Sequence, residues 1–142
     1  MPMITLRKAR AILKATIAKG AEAGMKPLSV VVLDAGGHPI AFERADGASP
    51  GRFDVARGKA HGCIMLGLGG TAIQSRADTQ AYFVQAMNGA FGGKFVPVKG
   101  GVLVRDAKGT VLGAVGVTGD TSDNDAIAAV AGIEAAGFTA EP

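Results

Sequence analysis

Leu28-Ser29-Val30-Val31-Val32-Leu33-Asp34-Ala35-Gly36-Gly37-His38-Pro39-Ile40-Ala41-Phe42-Glu43-Arg44 reads as strand, turn, strand. The Leu28–Leu33 run is continuous and largely β-branched, which predicts a buried strand. Asp34-Ala35-Gly36-Gly37 supplies the turn, because Asp bonds its own turn backbone and Gly accepts positive φ. Pro39–Arg44 then alternates, so Ile40 and Phe42 are expected on one face, and the pair forms a hairpin. A similar phrase returns where Asp106-Ala107-Lys108-Gly109 separates Val102–Val104 from Val111–Val117. Shared turn chemistry explains the echo without a duplicated domain. Phe95–Val98 is expected to add a further strand, giving about five, and hairpin links make the sheet mostly antiparallel.

Helices fill the rest. From Thr5 to about Ala23, the residues Leu6, Ala9, Leu13, Ile17 and Ala21 recur at three- and four-residue spacing, with Thr5 as cap and Gly24 and Pro27 as the stop. Arg52–Leu66 and Thr71–Asn88 are helical, the second broken near Thr79. A last helix spans about Asp123–Ala136, started by Thr121 or Ser122 and ended by Gly137. Helix, hairpin, helices, strands, helix describes an α+β fold in one domain over residues 1–142.

The middle helix is the informative one. Phe53, Ala56, Ala60, Cys63 and Ile64 form an apolar face that should meet the sheet. The opposite face holds Val55, Gly58, Gly62 and Met65. Glycine inside a helix costs roughly 0.8–1 kcal/mol against alanine. Two of them four apart therefore imply close packing by another body on that side, expected to be a second subunit. A homo-oligomer follows.

Composition narrows the classes. The chain has 142 residues, 48% hydrophobic and only 5% aromatic, with 22 glycines and a net charge of +3. A mean hydropathy of +0.28 excludes a disordered chain. No apolar run reaches the ~18–20 residues of a membrane-spanning helix. Arg7, Lys8, Arg10, Lys14 and Lys19 are the densest basic group, and they read as a solvated helix face, so no nucleic-acid partner is expected. Cys63 is alone and cannot form an internal disulfide, and the N-terminus shows no secretory leader, which together point to a cytoplasmic protein.

The chemistry-bearing residues are few. His38 and His61 are too few for a protein-only catalytic zinc site, and His61 and Cys63 point to different sides of their helix. His38, in a turn, reads as solvated. Arg57 lies one turn before His61, and a cation with an imidazole beside an apolar face suits a carboxylate or places His61 as an axial ligand to haem iron. Haem would be exchangeable, because Cys-x-x-Cys-His is absent. Lys99-Gly100-Gly101 offers a backbone that could approach a ligand, its N–H groups facing an anion. At Gly119–Asp125, Thr121 or Ser122 with Asp125 caps the last helix, leaving Asp120 as a polar or acid–base group.

These segments together resemble the GlcG/HbpS-like family, which also includes the C-terminal domain of some corrinoid adenosyltransferases. The resemblance spans nearly the whole chain. It rests on Val30–His38 leading to Phe42-Glu43-Arg44-Ala45-Asp46-Gly47, on Ala56-Arg57-Gly58-Lys59-Ala60, on Gly100-Gly101, and on Gly113–Val117 followed by Asn124-Asp125. It implies a profilin-like α+β fold, a sheet of about five strands with flanking helices, and an oligomer. Some members bind haem, and others accompany the catabolism of small organic acids, diols or aromatics. Ala45 stands where members often have Met, Lys99 and Val102 where they have prolines, and Asn124 where they have Gln.

Two functions follow as expectations. One is a ligand-binding oligomer for haem or another tetrapyrrole, with His61 axial, Phe53 and Met65 as apolar neighbours, and Arg57 or Lys99 pairing with propionates. The other is a cofactor-free isomerase, lyase or hydrolase acting on a small oxo or hydroxy acid. There Arg57 or Lys99 holds the carboxylate, Gly100 and Gly101 stabilise an oxyanion, and His61 or Asp120 moves the proton. A third reading is an interaction module.

Overall fold

The computed structural model describes residues 2–142. In chain order the elements are α1 (Leu6–Glu22), β1 (Ser29–Asp34), β2 (Pro39–Arg44), α2 (Arg52–Leu66), α3 (Gly70–Thr79), α4 (Ala81–Ala90), β3 (Gly101–Arg105), β4 (Val111–Thr118), α5 (Ser122–Ala135) and β5 (Thr139–Glu141). The strands form one sheet in the order β2-β1-β4-β3-β5, with every neighbouring pair antiparallel. The fold is α+β, as expected.

Alternation along β1 explains why its apolar run is unbroken. Val30 and Val32 enter one core with α1 and α5, whereas Val31 and Leu33 enter a second core under α2 and α3. A strand covered on both faces has no polar side to show. Thr5 caps α1 by accepting from the Lys8 N–H, and Thr121 caps α5 by accepting from the Asn124 N–H. The α1–α5 contact is tight because Gly132 lies against Thr16, and the stripe that α1 buries is Ala9, Ile12, Leu13, Thr16 and Gly20. Leu6 and Ala21, which share the expected spacing, are exposed.

Three local expectations are corrected. Ile40 and Phe42 do not share a face: the β1–β2 register shifts between Val32 and Leu33, so Ile40 and Ala41 join the α1/α5 core and Phe42 the α2 core. Phe95–Val98 is not a strand. The Val96 N–H donates to the Gly58 carbonyl at 3.1 Å, Pro97 has no N–H, and Val98 bonds back to Val96, so nothing is left for a ladder. The fifth strand is Thr139–Glu141, pairing Leu103 with Glu141 and Arg105 with Thr139. The third correction concerns the back of α2. Gly58 and Gly62 are covered as expected, but by this same irregular segment and not by a second subunit. A Cβ on Gly62 would stand 2.5 Å from the Phe95 ring, and one on Gly58 2.6 Å from a Val96 methyl. The break in the Thr71–Asn88 helix is real and falls at Gln80.

Candidate functional site

Helix α2 sits directly on the sheet. Ala56, Ala60 and Cys63 are fully buried, the Ala56 carbonyl lies against Gly116, and the Lys59 carbonyl lies against Gly101. Burial pushes the Cys63 thiol up to about 12, so it is inert. One stripe of the helix remains partly open to solvent. It carries Phe53, Arg57, His61 and Met65 at four-residue spacing, over about 18 Å at 1.5 Å per residue.

Each residue of the stripe is positioned by its neighbours. The Phe53 ring meets Phe42 edge-to-face at 4.9 Å, and the Arg57 guanidinium lies 5.1 Å from the Phe53 ring centre. One terminal nitrogen of Arg57 pairs with Asp54 at 3.2 Å, while its Nε is buried without a partner. His61 Nδ1 is 2.9 Å from the Lys94 carbonyl, and Phe91 stands edge-on to the imidazole at 6.2 Å. A carbonyl can only accept, so the proton sits on Nδ1 and Nε2 keeps its lone pair. Burial is the main force holding His61 below its usual 6.5, reinforced by the charges of Lys94, Arg57 and His38. The ring is therefore neutral at pH 7.

The β1–β2 turn closes over the far edge of the imidazole. A Cβ on Gly37 would stand 3.0 Å from His61 Cδ2 and 3.3 Å from the Met65 methyl, so a bare α-carbon, at φ +85°, keeps this edge clear. His38, in the same turn, is exposed and pairs with Asp34 at 3.3 Å. Stripe, turn and the Phe91–Lys94 segment thus meet around one neutral imidazole with cations on its flanks.

The remaining sequence-derived candidates lie elsewhere. Lys99 pairs with Asp123 at 2.9 Å, and its N–H donates to the Gln74 side chain. Gly100 and Gly101 are buried against α2: a Cβ on Gly100 would meet Lys59 Nζ at 2.8 Å, and one on Gly101 would meet the Cys63 sulfur at 2.8 Å. Their close backbone approach is to the protein's own helix, not to a ligand. Asp120 accepts from the Lys26 N–H, the Asn124 amide and the Thr121 N–H, which together hold it down at about 2. It is a fully ionised turn anchor and shares no contact with His61, so the oxo-acid constellation is not assembled.

Asp125, read from sequence as a helix-dipole acid, has a larger part. It is 1% exposed and pairs with the equally buried Lys59 at 3.0 Å, while Lys59 Nζ also donates to the Val117 carbonyl. Burial pushes Lys59 down and Asp125 up, against their mutual attraction. The sequence also passed over Phe91, Lys94, Gly37 and Phe42. The available signal was Phe91-Gly92-Gly93-Lys94, where paired glycines follow an aromatic and turn the chain back onto α2. Among the described residues no three His, Cys, Asp or Glu side chains converge, and no helix is long and apolar enough to cross a membrane.

Comparison with known proteins places this geometry in context. A family model described as haem degrading protein HbpS-like matches residues 4–134. The Klebsiella pneumoniae protein ORFY has 27% identity and a TM-score of 0.83, covering 96% of this chain and 92% of its own. Streptomyces reticuli HbpS, solved as a double mutant, has 27% identity and a TM-score of 0.78, covering 94% and 87%. PduOC, solved as a haem complex, superimposes with a TM-score of 0.86 at 18% identity over 99% and 100%, a likeness of fold. No curated protein matches the chain.

Proposed function

The chain belongs to the HbpS-like family, and from that premise we propose that it binds haem on the open stripe of α2, with His61 Nε2 as the iron ligand. The observation that carries the reading is the hydrogen bond from His61 Nδ1 to the Lys94 carbonyl. Metal-ligating histidines characteristically spend their other nitrogen on such an acceptor, which fixes the tautomer and the ring plane. The residues present fit the group. A neutral imidazole faces a turn kept clear by Gly37, Phe53, Met65 and Phe91 supply apolar surface, and Arg57 and Lys94 supply cations for two propionates. The partnerless Nε of Arg57 marks a guanidinium whose donors are not all used inside the chain.

Bound haem would bring the ligand-exchange and redox chemistry of its iron. The protein's own work is to hold Nε2 unprotonated, to orient the ring through Lys94, and to neutralise carboxylates at the stripe's edge. Support also comes from the haem-degrading description of the family and, at the level of fold alone, from the haem complex of PduOC.

Hemin titration of the purified chain tests this. A shifted Soret band is expected, lost or displaced in His61→Ala. Arg57→Ala and Lys94→Ala should each weaken binding a few-fold to about tenfold, the range of a charge-assisted contact at a half-exposed site. Lys99→Ala should leave it unchanged. A spectrum identical to free hemin, or a wild-type spectrum in His61→Ala, rejects the assignment.

A further inference from the structure

Helix α4 stands apart from the rest of the molecule. It packs against α3, and Val84 is its one buried side chain. From Thr79 to Gly93 the sequence has no Asp, Glu, Lys, Arg or His, in a chain that is 19% charged. Tyr82, Gln85, Ala86 and Gly89, at i, i+3, i+4 and i+7, form one continuous face, and all four are exposed, Tyr82 to 71%. A groove of about 300 Å³ lined by Val84, Gln85, Asn88, Phe95 and Pro97 runs along its flank. Nothing lies within 4 Å of where a Gly89 Cβ would be, so this helical glycine, unlike Gly58 and Gly62, has no partner inside the chain.

We infer that this face pairs with the same face of a second copy, as a two-fold antiparallel α4–α4 contact. A two-fold interface sets a patch against itself, so residue i meets j and j meets i. A patch bearing charge would repel its own image, whereas this one has none. Antiparallel pairing about a point between Gln85 and Ala86 sets Tyr82 over Gly89 of the partner subunit and Gln85 over its Ala86. The bulkiest exposed side chain on the face then meets the position with no side chain, twice. Small residues opposite a large one allow the close helix approach of packed pairs. The contact also steadies the haem stripe, because α4 leads straight into Phe91 and the Lys94 carbonyl that holds His61.

Analytical ultracentrifugation of the intact chain tests the inference. The expected particle is twice the 14.2 kDa chain mass, and Gln85→Lys, which sets two ammonium groups beside the axis, should halve it. Tyr82→Ala should weaken the association at least tenfold. Both substitutions lie on an exposed helix face, and unchanged circular dichroism confirms folding. Oxidising a mixture of Gln85→Cys and Ala86→Cys chains should give a disulfide-linked dimer, with no background from the buried Cys63. A chain that sediments at 14.2 kDa at every concentration overturns the pairing, as does an assembly that Gln85→Lys and Tyr82→Ala leave intact.

Discussion

Three helical glycines teach different lessons at the scale of single residues. Gly58 and Gly62 look like holes for a guest, yet each is filled by the chain itself, at Val96 and Phe95. Gly89 has the same composition and the opposite surroundings, with nothing near its α-carbon. Spacing along a helix says that a glycine needs a neighbour; it does not say which body supplies it. His61 carries the sharpest residue-level expectation. Its folded pKa lies below 6.5, mainly because the ring is partly buried. As pH falls through 6.5 the unfolded chain takes up a proton that the folded ring refuses, so stability declines with acidification until the lower folded pKa is reached. Urea denaturation at intervals from pH 7 to 5 should show this slope in the wild type and a flatter one in His61→Ala. Equal slopes would mean the ring is not held neutral.

At the scale of elements, the strongest tie is between α2 and α5, which lie on opposite faces of the sheet. Lys59 reaches past the end of the sheet, where Gly100 makes room, to Asp125 at the start of α5. Removing one member of a buried pair leaves an uncompensated charge, at a cost of about 3–5 kcal/mol, whereas replacing both by apolar residues is often near neutral. Lys59→Met is therefore expected to lower stability by about that amount, and Lys59→Met with Asp125→Leu to recover most of it, as read from urea midpoints. A mild single variant would place the pair on a wetter surface than its exposure indicates. The same element scale shows what was readable in advance. The caps at Thr5 and Thr121 and the hairpin at Asp34–Gly37 follow from local chemistry, and all three form. Thr139–Glu141 was not readable, because three residues carry no period and the strand exists only because β3 offers an edge.

For the whole molecule, stability is graded from the sheet outward. β1 and β4 are central strands, buried on both faces, while α4 touches the body through α3 and a single buried side chain. Local opening is easiest where few apolar contacts are lost. Hydrogen exchange should find the amides of β1 and β4 slowest and those of α4 among the fastest helical amides. Dilution should speed exchange in α4 more than elsewhere, since the proposed pairing protects it by mass action. Uniform protection of α4 and the sheet would contradict this ordering.

The order of elements, the antiparallel α+β class, the family and the prominence of His61 were all contained in the sequence, because caps, turns and apolar periods act over a few residues and leave local marks. Tertiary structure decided the rest. It set Phe95 and Val96 into the back of α2, turned Lys99 toward Asp123, tied Asp120 into a turn, and brought the Lys94 carbonyl to His61. These are contacts between residues up to 94 positions apart. They arise when a closed sheet and its helices compete for the same small space, and no short stretch of chain records the outcome of that competition.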